Sequence, residues 1–309
     1  MTADATRSLI ALLAEKHNPK ASLPAWVCRG ACARVHPMVA PSLASDARLS
    51  PGVRWLWLLA WLAGGALPSI AFFVWIERNL ALPNSWNPFL WPWVDLTNWV
   101  GPDSWILGSV WNGALFAVFG LAHSVLAQPR VREVLTRVVP PQAIRTFYVM
   151  VSGSLLLGVM GLWQHSGRVV WALSLPQSQT YILSAALFWG FMGGTAWALR
   201  KFDGLEFIGV WQLFQKATTV RASWTPSGNL PLHQEGLYGW VRHPIYLFTL
   251  AAMLVTPVMS WDRLWLFLLN ALYLIFAIPV EERKLILIWG DRYLDYQKRV
   301  PAVLPRFGR

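Results

Sequence analysis

Residues 236–290 read GLYGWVRHPIYLFTLAAMLVTPVMSWDRLWLFLLNALYLIFAIPVEERKLILIWG. Two apolar stretches, 244–260 and 264–288, lie between a basic pair, Arg242-His243, and an acidic pair, Glu281-Glu282. Each stretch is near the roughly 20 residues that cross about 30 Å of hydrocarbon. The first is the shorter, and Pro257 sits near its end. Broken backbone at membrane depth is tolerated beside protein or a polar cavity, and not against lipid. A short connection folds the two stretches into a helical hairpin. The basic and acidic pairs then return to the same end of it.

Working outward, four more apolar spans precede this hairpin, at 53–77, 104–127, 144–163 and 181–199. The expected fold is therefore all-α, a polytopic membrane bundle of about six transmembrane helices. Composition agrees: 55% of residues are hydrophobic and 13% are charged, with a mean hydropathy of +0.41. Soluble domains carry about 25% charged residues. A soluble enzyme, a disordered chain and a secreted disulfide scaffold are excluded. The 21 tryptophans fit a chain with two membrane interfaces. Residues 9–14 are too short for a leader's apolar core, and no cleavage site follows them, so no signal peptide is expected.

The net charge of +11 has a topological origin. With the N-terminus placed in the cytoplasm, all but Arg78, Arg168 and Arg263 of the 26 Lys and Arg residues fall on cytoplasmic segments. That asymmetry predicts both termini inside, and it leaves no charge that calls for a nucleic-acid partner. The expected partners are the lipid bilayer and a small acceptor. No internal repeat is visible.

Residues 1–50 are polar and mixed, and Pro19, Pro24, Pro37 and Pro41 interrupt any long helix. They read as a cytoplasmic N-terminal segment in which residues 6–17 fit a short surface helix. Cys28 and Cys32 make no disulfide framework. With His36 they place three ligand types at helical spacing, one fewer than a structural metal site needs, and Pro37 follows directly. No metal site is expected. The 84–105 stretch, with Trp86, Trp91, Trp93, Trp99 and Trp105, reads as an interfacial aromatic belt.

Ionisable residues facing each other at the edge of a hairpin point to a polar cavity at that depth. Pro244 suits the first turn of a helix, and free amides there hold anions. A structural reading fits the same residues: Arg242 snorkels, His243 flanks a helix start, and the glutamates balance Arg283 and Lys284. His123, inside the second span, needs a partner, so it is either functional or an interhelical bridge. On the residues alone, both readings stay open.

The pattern Gly236-x-Tyr238-x-x-x-Arg242-His243-Pro244-x-Tyr246 is followed by the hairpin, Glu281-Glu282 and then Trp289-Gly290-x-x-Tyr293-x-x-Tyr296-x-x-x-Val300-Pro301. This resembles the isoprenylcysteine carboxyl methyltransferase superfamily, over roughly residues 230–305. Ala122-His123-Ser124 with Arg130, Pro140-Pro141, residues 145–149 and residues 206–212 resemble its methanethiol S-methyltransferase and NnrU-type branch. The resemblance implies a membrane methyltransferase domain over 51–309. Its cofactor, S-adenosyl-L-methionine, would meet Tyr238, Arg242, His243, Pro244, Tyr246 and Glu281, with Leu230 and His233 nearby. Trp211 stands where that branch is expected to carry an arginine. Ala277 stands where the prenylcysteine enzymes carry a substrate-side arginine, which argues against a prenylcysteine carboxylate.

Methyl transfer from a sulfonium is an in-line displacement governed by positioning and by exclusion of water. A thiol reacts as its thiolate, so a base and a positive field are needed. Glu282 or His123 would take the proton, and Arg145 or Arg242 would steady the anion. The expected reaction is methylation of a small thiol, methanethiol to dimethyl sulfide, at the cytoplasmic face of a bacterial inner membrane. Alternatives are a haem-binding protein using His123 and His243, as in NnrU-related carotenoid isomerases, and a lipid methyltransferase.

Overall fold

The computed structural model describes residues 48–78, 104–224 and 231–306, all within one compact unit, Asp46–Arg309. The expected N-terminal segment, the Cys28/Cys32/His36 spacing, most of the Trp-rich stretch and Leu230 lie outside the described residues. The long helices are α1 (Pro51–Glu77), α2 (Trp105–Leu126), α3 (Ile144–Leu162), α4 (Gln177–Leu199), and, after the half-length α5 (Pro244–Leu254), α6 (Trp261–Trp289). A short α7 (Asp291–Arg299) follows. Among the described residues, five helices are long and apolar enough to cross a membrane, and side chains such as Leu56, Ile106, Leu121 and Ile275 are exposed along them. The chain is an integral membrane protein.

The fifth expected span, 244–260, differs from its sequence reading. Its helix has 11 residues, or about 16 Å at 1.5 Å per residue, half the hydrocarbon thickness. Pro257 disfavours helix at Thr256 and carries no amide. Arg263, fully buried, then caps the broken end. Its guanidinium donates to the carbonyls of Met253 at 2.8 Å and Ala252 at 2.6 Å. A charge counted as an outer-loop residue thus serves as a helix cap inside the protein. Residues beyond the break extend and pair: Val258–Ser260 lies antiparallel to Val169–Ala172. This two-stranded ribbon is a departure from a purely helical reading. The four-residue strand is too short to register as a pattern beside the long apolar runs.

The well-packed core, including Phe72, Trp75, Phe116, Trp163, Phe188 and Leu266, occupies the end of the bundle that carries the ribbon. Buried polar side chains lie at both ends, Glu77, Asp262 and Arg263 beside the ribbon and His243 and Glu282 at the opposite end. Crossing α1 on α3 requires glycine. A π-helical turn, Leu62–Ala66, interrupts α1, and a Cβ on Gly153 would stand 2.5 Å from the carbonyl oxygen of Gly64 and 2.6 Å from that of Gly65. Small residues at such crossings let backbones touch.

Candidate active site

The 40-residue hairpin separation between Arg242 and Glu282 closes into one network at the end of α6. Arg242 Nε donates to Glu282 Oε1 at 2.6 Å, His243 Nε2 lies 3.1 Å from the same oxygen, and Gln297 Nε2 donates to Oε2 at 2.8 Å. Tyr293 Oη adds a longer contact of 3.4 Å. Glu282 is buried. Its two oxygens are occupied by donors from four residues, which suits a carboxylate that holds the others in place.

The tail motif explains how those donors arrive. Gly290 adopts φ +56 at the end of α6, a left-handed conformation that glycine takes without steric cost. The chain reverses there, and α7 folds back with Tyr293, Tyr296 and Val300 buried against Leu232, Leu285 and Trp289. Tyr296 Oη donates to the carbonyl of Tyr238 at 2.5 Å. Burial pushes the phenols of both Tyr296 and Tyr238 up to about 12, with Glu281 adding to the shift of Tyr238. Both stay neutral donors near pH 7. The amides of Arg242 and His243 donate to Pro301 and Ala302, each at 2.9 Å.

Glu281, one residue along α6, has a different environment. Its side chain is 42% exposed. It accepts from Tyr246 Oη at 2.7 Å, and Tyr246 stacks on His243 with ring centroids 5.3 Å apart and planes 10° from parallel. His243 Nδ1 lies 3.8 Å from the Glu281 carboxylate. Pro244 is buried at the first turn of α5. Pro279, inside α6, removes the amide that would bond residue 275 just before the two glutamates.

A second group lies between α2 and α3. Tyr148 Oη is 2.7 Å from His123 Nε2, and Ser152 Oγ is 3.1 Å from Nδ1. The Arg145 guanidinium sits over the Tyr148 ring at 5.0 Å, and its Nε donates to the carbonyl of Phe207 at 2.9 Å. The segment Gly204–Gln212 is pinned there. Gly209 has φ +85, and a Cβ on it would stand 2.8 Å from the amide nitrogen of Thr146. Thr146 Oγ1 donates to the Gly209 carbonyl at 2.6 Å. Trp211 begins a 3-10 turn in this segment.

Tyr148 and Arg145 line a cavity of 460 Å³, together with Arg132, Glu206, Phe207 and Trp224. Phe202 also lines it, and His233 and Tyr238 pack edge-on against that ring at 6.4 and 6.3 Å. A smaller cavity of 340 Å³ lies beside Tyr238, Arg200, Lys201 and Glu235. His243, Tyr246 and Glu281 line neither. Tyr273 links α6 to α2: its hydroxyl is 3.0 Å from Ser124 Oγ.

The structure therefore brings His123 and Arg145 together through Tyr148, and Arg242, His243 and Glu282 together through shared hydrogen bonds. Tyr148, Tyr273 and Gln297 were not among the expected site residues. Tyr148 lies three residues after Arg145, on the same helix face, but its partner across on α2 left no mark in the sequence. Gln297 left none either.

Among the described residues, five crossing helices and the half-length α5 hold two polar clusters, around His123 and around Glu282, and define an integral membrane protein. Its relatives identify the chemistry. The methanethiol S-methyltransferase of Mycobacterium tuberculosis is 32% identical over 197 residues, 63% of this chain and 77% of that protein. The methanethiol S-methyltransferase of Pseudomonas deceptionensis is 30% identical over 210 residues, 68% of this chain and 78% of that protein. Nurim of Bos taurus is 27% identical over 195 residues, 61% of this chain and 70% of that protein. No family model and no solved structure matches. The chain belongs to the methanethiol S-methyltransferase family and is a membrane methyltransferase.

Proposed function

We propose that the chain transfers a methyl group from S-adenosyl-L-methionine to a small thiol, methanethiol to dimethyl sulfide being the reaction suggested by its relatives' names. The observation that carries this reading is the pairing of two groups at one end of the bundle: the Tyr246–His243–Glu281 cluster and the His123–Tyr148–Arg145 cluster.

The cofactor supplies an electrophilic methyl group on a sulfonium. Tyr246 and His243 offer aromatic faces to a cation, and Glu281 offers a carboxylate to an ammonium or hydroxyl. Tyr238 borders the same region. Arg242 and Glu282 fix His243 from behind; we assign Glu282 this positioning role rather than that of the base. Leu230 and His233 remain candidate flanking contacts.

Tyr148 donating to His123 Nε2 leaves that nitrogen ready to accept a proton through the phenol. The acceptor's thiol loses its proton to Tyr148 as the phenolic proton moves to His123. The acceptor's sulfur then bonds the methyl carbon while the donor carbon–sulfur bond breaks. Arg145 supplies a positive field for the thiolate. General acid–base help of this kind contributes about 10²–10⁴-fold.

The distribution of Lys and Arg supports placing this end of the bundle at the cytoplasmic face of a bacterial inner membrane, with residues 1–50 and the C-terminus on the same side. Haem ligation through His123 and His243 is less well supported, because both rings already serve hydrogen bonds within their own clusters. Headspace analysis of cells expressing the chain and fed methanethiol tests the reading. Dimethyl sulfide above an empty-vector control is expected; none above control would reject methanethiol as acceptor.

A further inference from the structure

One row of side chains sets the register of α6 against α2. On α6 the row is Trp261, Trp265, Leu269 and Tyr273, spaced four residues apart and so on one helix face. At the ribbon end, Trp261 Nε1 donates to Ser109 Oγ at 2.7 Å, and Trp265 Nε1 donates to the carbonyl of Ser109 at 2.9 Å. A Cβ on Gly113 would meet Trp265 at 3.7 Å and Leu269 at 3.9 Å. At the far end of the row the Tyr273 ring lies against Gly120, where a Cβ would stand 3.3 Å from it. That ring meets Phe116 edge to face, with centroids 6.5 Å apart. Its hydroxyl lies 3.0 Å from Ser124 Oγ.

Tyr273 is the member of this row nearest the two polar clusters. Ser124 directly follows His123 on α2. Glu281 comes eight residues after Tyr273 on α6, about 12 Å at 1.5 Å per residue. Between them stands Pro279, which removes a helical hydrogen bond and lets the helix bend. Beyond Pro279, α6 is held to α5 and α7 by Arg242, His243 and Gln297 around Glu282. α5 in turn sets Phe248 against Gly194 of α4. The Tyr246–His243–Glu281 cluster therefore rests on α4, α6 and α7, whereas His123 and Tyr148 belong to α2 and α3. Tyr273 ties one assembly to the other just before the point where α6 can bend.

We propose that Tyr273 is a positioning residue for methyl transfer: its hydrogen bond to Ser124 fixes the separation between the Tyr246–His243–Glu281 cluster and the His123–Tyr148 pair. This rests on the S-methyltransferase reading above. The acceptor's sulfur bonds the methyl carbon as the donor's carbon–sulfur bond breaks, and its proton passes to the Tyr148–His123 pair. Both sulfurs and the carbon must lie in line, and a misplacement of about 1 Å costs about a hundredfold in rate. A hydroxyl pair between membrane helices contributes little to stability, so its loss is read in geometry and rate.

The test uses the full-length protein in phospholipid nanodiscs with S-adenosyl-L-methionine and methanethiol. Tyr273→Phe removes only the hydroxyl. Its kcat is expected to fall about tenfold to a hundredfold, with KM for methanethiol and calorimetric cofactor affinity unchanged. Ser124→Ala should match it, the double variant should lose no more than either, and Ser124→Thr should keep the wild-type kcat. Trp261→Phe, at the ribbon end of the same row, should lower Tm and leave kcat unchanged. An equal fall of kcat in Trp261→Phe makes general packing the cause and overturns the proposal. A raised KM with unchanged kcat in Tyr273→Phe makes the phenol an acceptor contact and overturns it too. Spin labels at Leu121→Cys and Leu287→Cys, both exposed, in a Cys28→Ser/Cys32→Ser background, read the helix separation without turnover. Tyr273→Phe should broaden that distance distribution, and an unchanged distribution overturns the proposal. Broadening in a protein that methylates no thiol keeps the anchor and rejects the S-methyltransferase reading.

Discussion

Tyr148 Oη stands 2.7 Å from Nε2 of His123, joining α3 to α2 at the wall of the 460 Å³ cavity. The tyrosine lines the cavity and the histidine does not, so the phenol is the part of the pair open to it. Tyr148→Phe removes only the hydroxyl. Turnover is expected to fall about 10²–10⁴-fold, with cofactor affinity near that of the wild type. His123→Ala should give a similar loss, and the double variant little more, because the two act as a unit. Single-turnover rates and calorimetric cofactor titration check this together. Normal turnover in Tyr148→Phe removes the pair from the mechanism.

The two adjacent glutamates are expected to separate by what they damage. Glu281→Gln and His243→Ala should weaken S-adenosyl-L-methionine binding about tenfold to a hundredfold, the equivalent of about 1.5–3 kcal/mol for a charge-assisted contact. Folding should survive Glu281→Gln, whereas His243→Ala also removes a partner of the buried Glu282. Glu282→Gln instead unbalances a buried network of Arg242, His243 and Gln297, and loss of a buried partner costs about 3–5 kcal/mol. Thermal unfolding in detergent should show a marked fall for Glu282→Gln and little change for Glu281→Gln.

Gly153→Leu tests the contact of α1 with α3. Its new Cβ meets backbone rather than a side chain that can swing away. Overpacking of this kind costs about 1–3 kcal/mol, and backbone contact places the substitution at the upper end. Tm should fall, whereas Gly158→Leu on the same helix, where no atom lies within 4 Å, should leave it nearly unchanged.

Arg263→Met tests the cap on α5. The carbonyls of Ala252 and Met253 lose their buried donor, and each unsatisfied group costs about 1–3 kcal/mol. Hydrogen exchange at the amides of residues 252–255 should quicken, and Tm should fall. Arg263→Lys, able to reach one carbonyl, should recover part of the loss. Unchanged exchange would show that Pro257 alone sets the end of the helix.

The sequence by itself determined the membrane class and the limits of five helices to within a few residues. Long apolar runs have one outcome in a bilayer, where each backbone polar group must be bonded within its own segment. It also determined that Arg242, His243 and the glutamates share one end of a hairpin, because helix length and chain reversal fix that from spacing alone. Tertiary structure decided the rest. Residues 244–260 hold enough apolar side chains to cross a membrane, yet the helix stops halfway because Arg263, distant in neither sequence nor charge count from a loop residue, folds inward to cap it. Glu281 and Glu282 are indistinguishable as letters. They point from α6 in directions about 100° apart, so one is enclosed by donors from α7 and the other meets Tyr246 and solvent. Tyr148 acquires its role only from what lies across the gap, since a hydroxyl's partner on another helix leaves no periodic trace in either segment.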